Sequence, residues 1–414
     1  MRKLSLVESK NTLLDITPGE ALALQNVGQR LASKKEWWGQ TGDVPDDRSV
    51  IRCTPAGGGL WQVRVSDAVG LISIGSLQLL VEPKIPTSHL LYLLSASGAF
   101  PRIDDQRGGA AAGKSLWELV ATWFLSATER VVRRDLVRDY ESATDALPAV
   151  HGKLHPLSTA RSYYEGRLQF TCSFDDFSID TPLNRVVRSA ARTIAADASL
   201  GWTIRRRALA LLARMEDVGD YQSSDAWPTL DRRTRHYADA LTLARHILQS
   251  QARQLQHGSL EAWTFLIRTP EMVEAGILSL LQSAFGAHMI SKRPIHLVGT
   301  SMTMNPDLVI GGSAAVADVK YKIAGAEWNR ADLYQSVAFA VAARTHHAAV
   351  LTFLPPGAER APSVRVGDIS VCQITWPADP THEPQVAKTA LVDAFAGWMA
   401  TVPLNHSPAI LQVS

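Results

Sequence analysis

Apolar positions along the chain follow two rhythms, and the change from one to the other marks its organisation. From residue 1 to about 100 the apolar runs are short. Residues 49–54, 61–65, 70–74 and 76–85 each place aliphatic side chains between polar or glycine breaks, the signature of strands. Pro83 closes the last run, because proline cannot donate to a ladder. One early helix stands apart from these strands, opened by Thr17-Pro-Gly-Glu20 and carried by Ala21, Leu24 and Val27. It breaks near Trp37 and Trp38, which suit either half-buried packing or an exposed contact.

Between about 101 and 258 the rhythm is mainly helical. Residues 96–114, rich in Gly, Ala and charge, read as a linker. Over 115–140, Trp117, Val120, Trp123, Phe124, Ala127 and Val131 recur at helical spacing. A short strand pair is expected around 151–154 and 168–173. Asp180 or Thr181 then caps a helix that has Pro182 in its first turn and Val186, Val187, Ala190 and Ile194 on its core face. Helices over 204–215 and 235–253 follow. Arg130, Arg133, Arg134 and Arg138, late in the first helix, sit comfortably at its negative end. Together with Arg185, Arg188, Arg205, Arg206 and Arg207 they are candidates for phosphate or partner contact.

From about 259 to 414 strands and helices mix. Thr269-Pro-Glu-Met-Val-Glu274 starts a helix whose buried face is Val273, Ile277, Leu280, Leu281 and Ala284, up to Gly286. Next comes Asn305-Pro-Asp307, an apolar run to Gly311-Gly312-Ser313, and a second run carrying Asp318, Lys320, Tyr321 and Lys322, which predicts a tight strand pair. A helix through Leu333, Gln335, Val337 and Val341 precedes strands over 349–354 and 371–376. The fold class expected is therefore α/β and α+β multidomain: a strand-rich N-terminal domain over 1–100, a helical middle region over 101–258, and a C-terminal mixed sheet flanked by helices over 259–414.

The chemistry concentrates in that last strand pair. Alternation turns Asp318 and Lys320 to one face and Val319 to the other, while Asp307 opens the neighbouring strand. Two carboxylates held together repel unless a cation or proton lies between them. A hard divalent ion with oxygen ligands suits them, and Mg²⁺, with Mn²⁺ as a substitute, would support phosphodiester hydrolysis. Glu274 is a candidate third acid, and Lys320 a candidate for steadying the attacking water or the phosphate charge. Gln335 is a candidate from the later helix, and Lys322 is expected on the same side as Lys320.

Composition narrows the picture modestly. A net charge of +2 gives no global cationic field, so nucleic acid would be held by local patches or by a partner. Cys53, Cys172 and Cys372 are too scattered for a disulfide framework or a zinc site, which suits a reducing cytoplasm. No apolar run reaches membrane-spanning length.

Asp307 with Asp318-x-Lys320 resembles the core of the PD-(D/E)xK nucleases. Further motifs make the resemblance more specific: Ile74-Gly75, Glu82-Pro83-Lys84-Ile85, Leu136-Val-Arg-Asp-Tyr140, His151-Gly-Lys153 and Cys172-Ser-Phe-Asp-Asp-Phe-Ser-Ile-Asp-Thr-Pro-Leu-Asn-Arg185. With these, roughly residues 70–354 resemble the McrC family, the nuclease subunit of McrBC modification-dependent restriction systems. Val273 and Phe339 stand where that family has a phenylalanine and a tyrosine, and His151-Gly152 lacks its arginine.

The resemblance implies that Asp307, Asp318 and Lys320 are catalytic, with Glu274 as helper. It also implies a C-terminal restriction-endonuclease-like domain and a hexameric McrB-like AAA+ GTPase partner acting on double-stranded DNA that carries modified cytosine. No Walker-type phosphate loop is expected in this chain, so nucleotide hydrolysis is assigned to the partner. Two other readings stay open: a non-cleaving structural activator of the motor, and a self-sufficient nuclease with its own N-terminal DNA reader.

Overall fold

The computed structural model describes residues 2–33, 49–98, 100, 116–222, 226–250, 262–297 and 299–403. Trp37, Trp38 and most of the expected linker lie outside them. The short N-terminal runs form strands β1 (Arg2–Val7), β2 (Thr12–Leu14), β3 (Ile51–Gly57), β4 (Leu60–Val65), β5 (Ala68–Ile74) and β6 (Leu77–Glu82), with helices α1 (Pro18–Ser33) and α2 (Thr87–Ala96). Helix α1 begins with the reciprocal cap its sequence announces. Glu20 N–H donates to Thr17 Oγ1 at 3.2 Å, and Thr17 N–H returns to Glu20 Oε2 at 2.8 Å. Its apolar stripe, Ala21, Leu24, Val27 and Leu31, packs with Ile51, Val63 and Ile72 in one core.

The middle of the chain forms a compact unit of its own, residues 117–251. It holds α3 (Leu116–Arg133, whose first residue lies just outside the unit), β7 (Asp139–Leu147), β8 (Lys153–Leu154), α4 (Pro156–Tyr164), β9 (Phe170–Ser178), α5 (Pro182–Ala196), α6 (Trp202–Ala213) and α7 (Ala238–Ser250). The expected face of α3, from Trp117 to Val131, is buried. The helix, however, stops at Arg133 rather than near 140. Asp135 takes a left-handed conformation (φ 67°), and residues 139–147 pair antiparallel with β9. Arg138 therefore belongs to the connection into β7 and not to a helix end. Thr181 caps α5, accepting from Asn184 N–H at 3.4 Å. Buried Asn184 accepts from the Tyr237 hydroxyl at 2.6 Å and donates to the carbonyls of Val137 and Ile179.

The last part returns to the first. Strand β10 (Ala262–Arg268) lies antiparallel on β5, giving a four-stranded sheet ordered β1-β6-β5-β10. Segments expected as separate first and last domains thus share one sheet and one compact unit, residues 1–116 with 252–414. Helix α8 (Pro270–Phe285) follows and packs on α2, where Gly276 is required: a Cβ there would stand 2.4 Å from the Leu93 carbonyl oxygen.

Beyond α8 come β11 (Ile290–Ser291), β12 (Ile295–His296), β13 (Thr303–Met304), β14 (Leu308–Ile310), β15 (Ala315–Ile323), α9 (Arg330–Ala343), β16 (His347–Leu354), β17 (Val364–Val366), β18 (Ile369–Pro377) and α10 (Pro384–Met399). Six of these strands build a mixed sheet ordered β11-β14-β15-β16-β18-β17, parallel at its centre and antiparallel at both sides. Helices α8 and α9 pack against its strand β15. The mixed α/β architecture agrees with the sequence expectation. Among the described residues, no helix is long and apolar enough to cross a membrane.

Candidate active site

Strands β14 and β15 form the tight pair that the sequence predicts, with Leu308 opposite Ala317 and Ile310 opposite Ala315. Gly311 and Gly312 close the turn at φ 56° and 71°, a backbone that residues with a Cβ rarely adopt. This register brings Asp307, just before β14, beside the middle of β15. Its Oδ2 accepts the Val319 N–H at 2.9 Å, which fixes the carboxylate next to Asp318. The two carboxylates lie against each other, both buried.

Lys320 Nζ lies 2.6 Å from Asp318 Oδ2. This short ion pair makes Lys320 the cationic partner of a buried carboxylate oxygen. Burial, then the neighbouring charge of Asp307, pushes the Asp318 carboxyl up to about 7, with Lys320 pulling the other way. Burial disfavours the charge on Lys320, but Asp318 outweighs it and holds the ammonium above its ordinary range.

Glu274, in the second turn of α8, faces the same cluster. Burial and then Asp307 push its carboxyl up to about 8. Between Glu274 and Asp307 stands a residue the sequence reading passed over. Lys292, just past β11, places Nζ 2.9 Å from Asp307 Oδ1 and 3.4 Å from Glu274 Oε2. Its only sequence signal is a lysine following a two-residue strand, and nothing local says that this strand pairs with β14.

The donor set suits a hard divalent cation. Asp307 and Asp318 supply adjacent buried carboxylate oxygens, whose mutual repulsion a cation between them would relieve. Among the described residues, no three acidic, imidazole or thiol groups form a ready-made metal cage. Lys292 stands between Glu274 and Asp307.

The other candidates are distributed differently. A bulge between Val319 and Ile323 interrupts strict alternation in β15, and Lys322 Nζ bonds Asp332 Oδ1 at 2.8 Å instead of joining the aspartates. Gln335 is exposed on α9, one turn beyond the buried Asp332. In the middle unit several arginines have internal partners: Arg130 with Asp239, Arg185 with Asp180, Arg188 with Asp220, and Arg207 bidentate with Glu129. Arg133, Arg134, Arg138 and Arg206 are exposed, and Arg205 is half-buried.

The expectation of no Walker-type loop needs correction at the level of sequence. Gly108-Gly-Ala-Ala-Ala-Gly-Lys-Ser115 spells Gly-x-x-x-x-Gly-Lys-Ser, and it lies outside the described residues. A phosphate-binding loop follows a buried apolar strand, whereas the run before this one, Pro101-Arg-Ile-Asp-Asp-Gln-Arg107, is polar.

Comparison with known proteins agrees on one system. Residues 63–354 match the family model described as McrBC 5-methylcytosine restriction system component. The chain is 22% identical over 195 residues to the type IV methyl-directed restriction enzyme EcoKMcrBC of Escherichia coli K12, a match spanning 46% of this chain and 56% of that protein. In fold it is similar to a chain of a Thermococcus gammatolerans assembly of McrB AAA+ hexamers with bound McrC. That likeness has a TM-score of 0.65 at 13% identity, covering 95% of this chain and 99% of the other.

Proposed function

The chain belongs to the McrBC 5-methylcytosine restriction system component family, and from that premise we propose that it is the McrC-like nuclease subunit of a modification-dependent restriction complex. The observation that carries this reading is the convergence of two buried aspartates and a lysine on one hairpin, with Lys320 paired to Asp318. Asp307 and Asp318 would hold a divalent ion, Mg²⁺ by donor type. Bound there, such an ion supplies Lewis-acid stabilisation of phosphate charge and a more acidic water.

The side chains divide the remaining work. Lys320 stands beside Asp318 with its ammonium held charged, placed to stabilise the negative charge that gathers on phosphorus oxygens in the transition state. Glu274 borders the same pocket with its carboxyl at about 8, able to hold or release a proton near neutrality. On this reading the hairpin and its sheet are a PD-(D/E)xK domain and the substrate is double-stranded DNA carrying modified cytosine. An AAA+ GTPase of the McrB kind is the partner, and the complex works in the cytoplasm. Leu157, Tyr163, Tyr164 and Leu168, on α4 and just after it, are exposed apolar side chains available to that partner.

The test mixes the full chain with its AAA+ partner, GTP, Mg²⁺ and DNA with or without 5-methylcytosine. Wild type is expected to cut the methylated DNA. Asp318→Asn is expected not to cut, while stimulating the partner's GTP hydrolysis as wild type does. Cutting by Asp318→Asn at the wild-type rate would refute the assignment. Stimulation without cutting by either protein would favour the non-cleaving activator.

A further inference from the structure

Each aspartate of the pair has its own ammonium. Lys320 lies 2.6 Å from Asp318, and Lys292 lies 2.9 Å from Asp307. A divalent ion shared by the two carboxylates would stand within a few ångströms of both ammonium groups, and the like-charge repulsion favours moving one of them away. The two differ in how easily they can move. The Lys320 side chain is 20% exposed and rises from the same strand as its partner, two residues on, whereas the Lys292 side chain is 42% exposed and reaches in from the rim. Moving either strips a buried carboxylate of its cation, but Lys292 has the shorter way to water, being about twice as exposed as Lys320.

Lys292 is also free to move without disturbing its strand. Pairing of Ile290 with Ile310 and Ser291 with Val309 fixes β11 on β14. Gln282 Nε2 donates to the Ile290 carbonyl at 2.9 Å, and Arg293 Nη2 donates to the Gly312 carbonyl at 2.6 Å and to Ser313 Oγ at 2.9 Å. The segment is held on both sides of Lys292, whose side chain, among the described residues, bonds to Asp307 and Glu274. Charge balance points the same way. With all three carboxylates, Glu274, Asp307 and Asp318, ionised beside a bound divalent ion, the ion and both lysines together leave an excess of positive charge. With Lys292 displaced, the remaining charges cancel.

Resting on the nuclease reading above, we propose that Lys292 is a further substrate-handling residue of this site: it holds the cation's place on Asp307 until a divalent ion displaces it, and it then pairs with a phosphate of the DNA. The lysine keeps the carboxylates from repelling one another in the metal-free chain and lowers the apparent metal affinity. Once displaced, its ammonium, on a side chain already 42% exposed, is available to a phosphodiester from solvent.

The experiment measures Mn²⁺ binding to the full chain by the electron paramagnetic resonance signal of free Mn²⁺, for wild type, Lys292→Met, Lys292→Arg and Asp318→Asn. Lys292→Met is expected to bind Mn²⁺ on the order of tenfold more tightly than wild type. Lys292→Arg should stay near wild type, and Asp318→Asn should lose the site. Binding to a short DNA duplex in Ca²⁺, followed against KCl, is expected to lose about one charge of salt dependence in Lys292→Met and to recover it in Lys292→Arg.

Unchanged Mn²⁺ affinity in Lys292→Met, with binding abolished in Asp318→Asn, would overturn the place-holding role while leaving the metal site standing. An unchanged salt dependence in Lys292→Met would overturn the phosphate contact. Equal Mn²⁺ binding by wild type and Asp318→Asn would instead remove the metal site itself, and this inference with it.

Discussion

Glu8, one residue past the first strand, accepts a 2.7 Å hydrogen bond from the hydroxyl of Thr269, the residue that leads into the helix carrying Glu274. Its other oxygen accepts the Lys84 N–H at 3.3 Å, and the Tyr321 hydroxyl, next in sequence to Lys320, lies beside the same carboxylate. Lys84 Nζ in turn stands 4.2 Å from the centre of the Tyr321 ring. A single buried acid therefore joins the N-terminal strands to two elements of the candidate active site. The Glu82-Pro83-Lys84-Ile85 motif finds its structural reason in this contact.

Removing that acid leaves a buried hydroxyl and a buried N–H without their acceptor. Glu8→Ala is expected to destabilise the chain by about 2–3 kcal/mol, and Glu8→Gln by less, since an amide oxygen can still accept. The urea midpoint at pH 7 checks this. A midpoint for Glu8→Ala equal to that of wild type would show that the contact carries no weight.

The acid pair makes a prediction about pH. Asp318 at about 7 and Glu274 at about 8 are both raised above their unfolded values near 4, so the folded chain binds protons more readily than the unfolded one. Their destabilising effect is complete above about 8, fades as pH falls through about 8 and 7, and is gone below the ordinary carboxylate range. Without metal, Asp318→Asn should therefore be more stable than wild type at pH 8.5, by about 1–3 kcal/mol. The difference should shrink towards pH 5. Thermal unfolding at the two pH values checks the sign, and a variant less stable than wild type at pH 8.5 contradicts it.

Divalent ions should reverse that order. A cation that binds the folded site alone raises stability with concentration, so millimolar Mg²⁺ or Mn²⁺ is expected to raise the unfolding temperature of wild type but not of Asp318→Asn. Equal shifts in both would place the bound ion elsewhere.

Lys320 and Arg207 should separate chemistry from architecture. Lys320→Met is expected to slow DNA cutting by about 100-fold or more with the partner's GTP hydrolysis still stimulated. Arg207, bidentate to Glu129 and partly buried, is expected to cost about 1 kcal/mol when replaced by Ala. The exposed Arg133 and Arg134 should be replaceable without loss of stability, so any fall in DNA retention by that double variant reports contact. Cutting assays paired with denaturation curves distinguish these cases.

The hairpin was legible because its information is local. Alternation places Asp318 and Lys320, two glycines specify the turn, and Asp307 opens the apolar run before it. Lys292 was not legible, since its role depends on β11 crossing to β14, a pairing two residues long. Thr269 reads as a helix cap from its neighbours, yet its hydroxyl goes to an acid 261 residues earlier in the chain. The run 139–147 shows no apolar alternation because it draws its order from pairing with β9, so the sequence predicts a helix up to about 140 and no strand after it. Joining of the first and last segments through β5 and β10 is likewise a long-range pairing that no window of sequence contains.

The shared cation is tested most directly by anomalous scattering from crystals of the full chain grown with Mn²⁺. The expected result is a single strong peak within coordination distance of both Asp307 and Asp318, with Lys292 moved away from Asp307. Crystals containing Mn²⁺ in which no peak lies between the two carboxylates, and Lys292 still bridges Asp307 and Glu274, would contradict it.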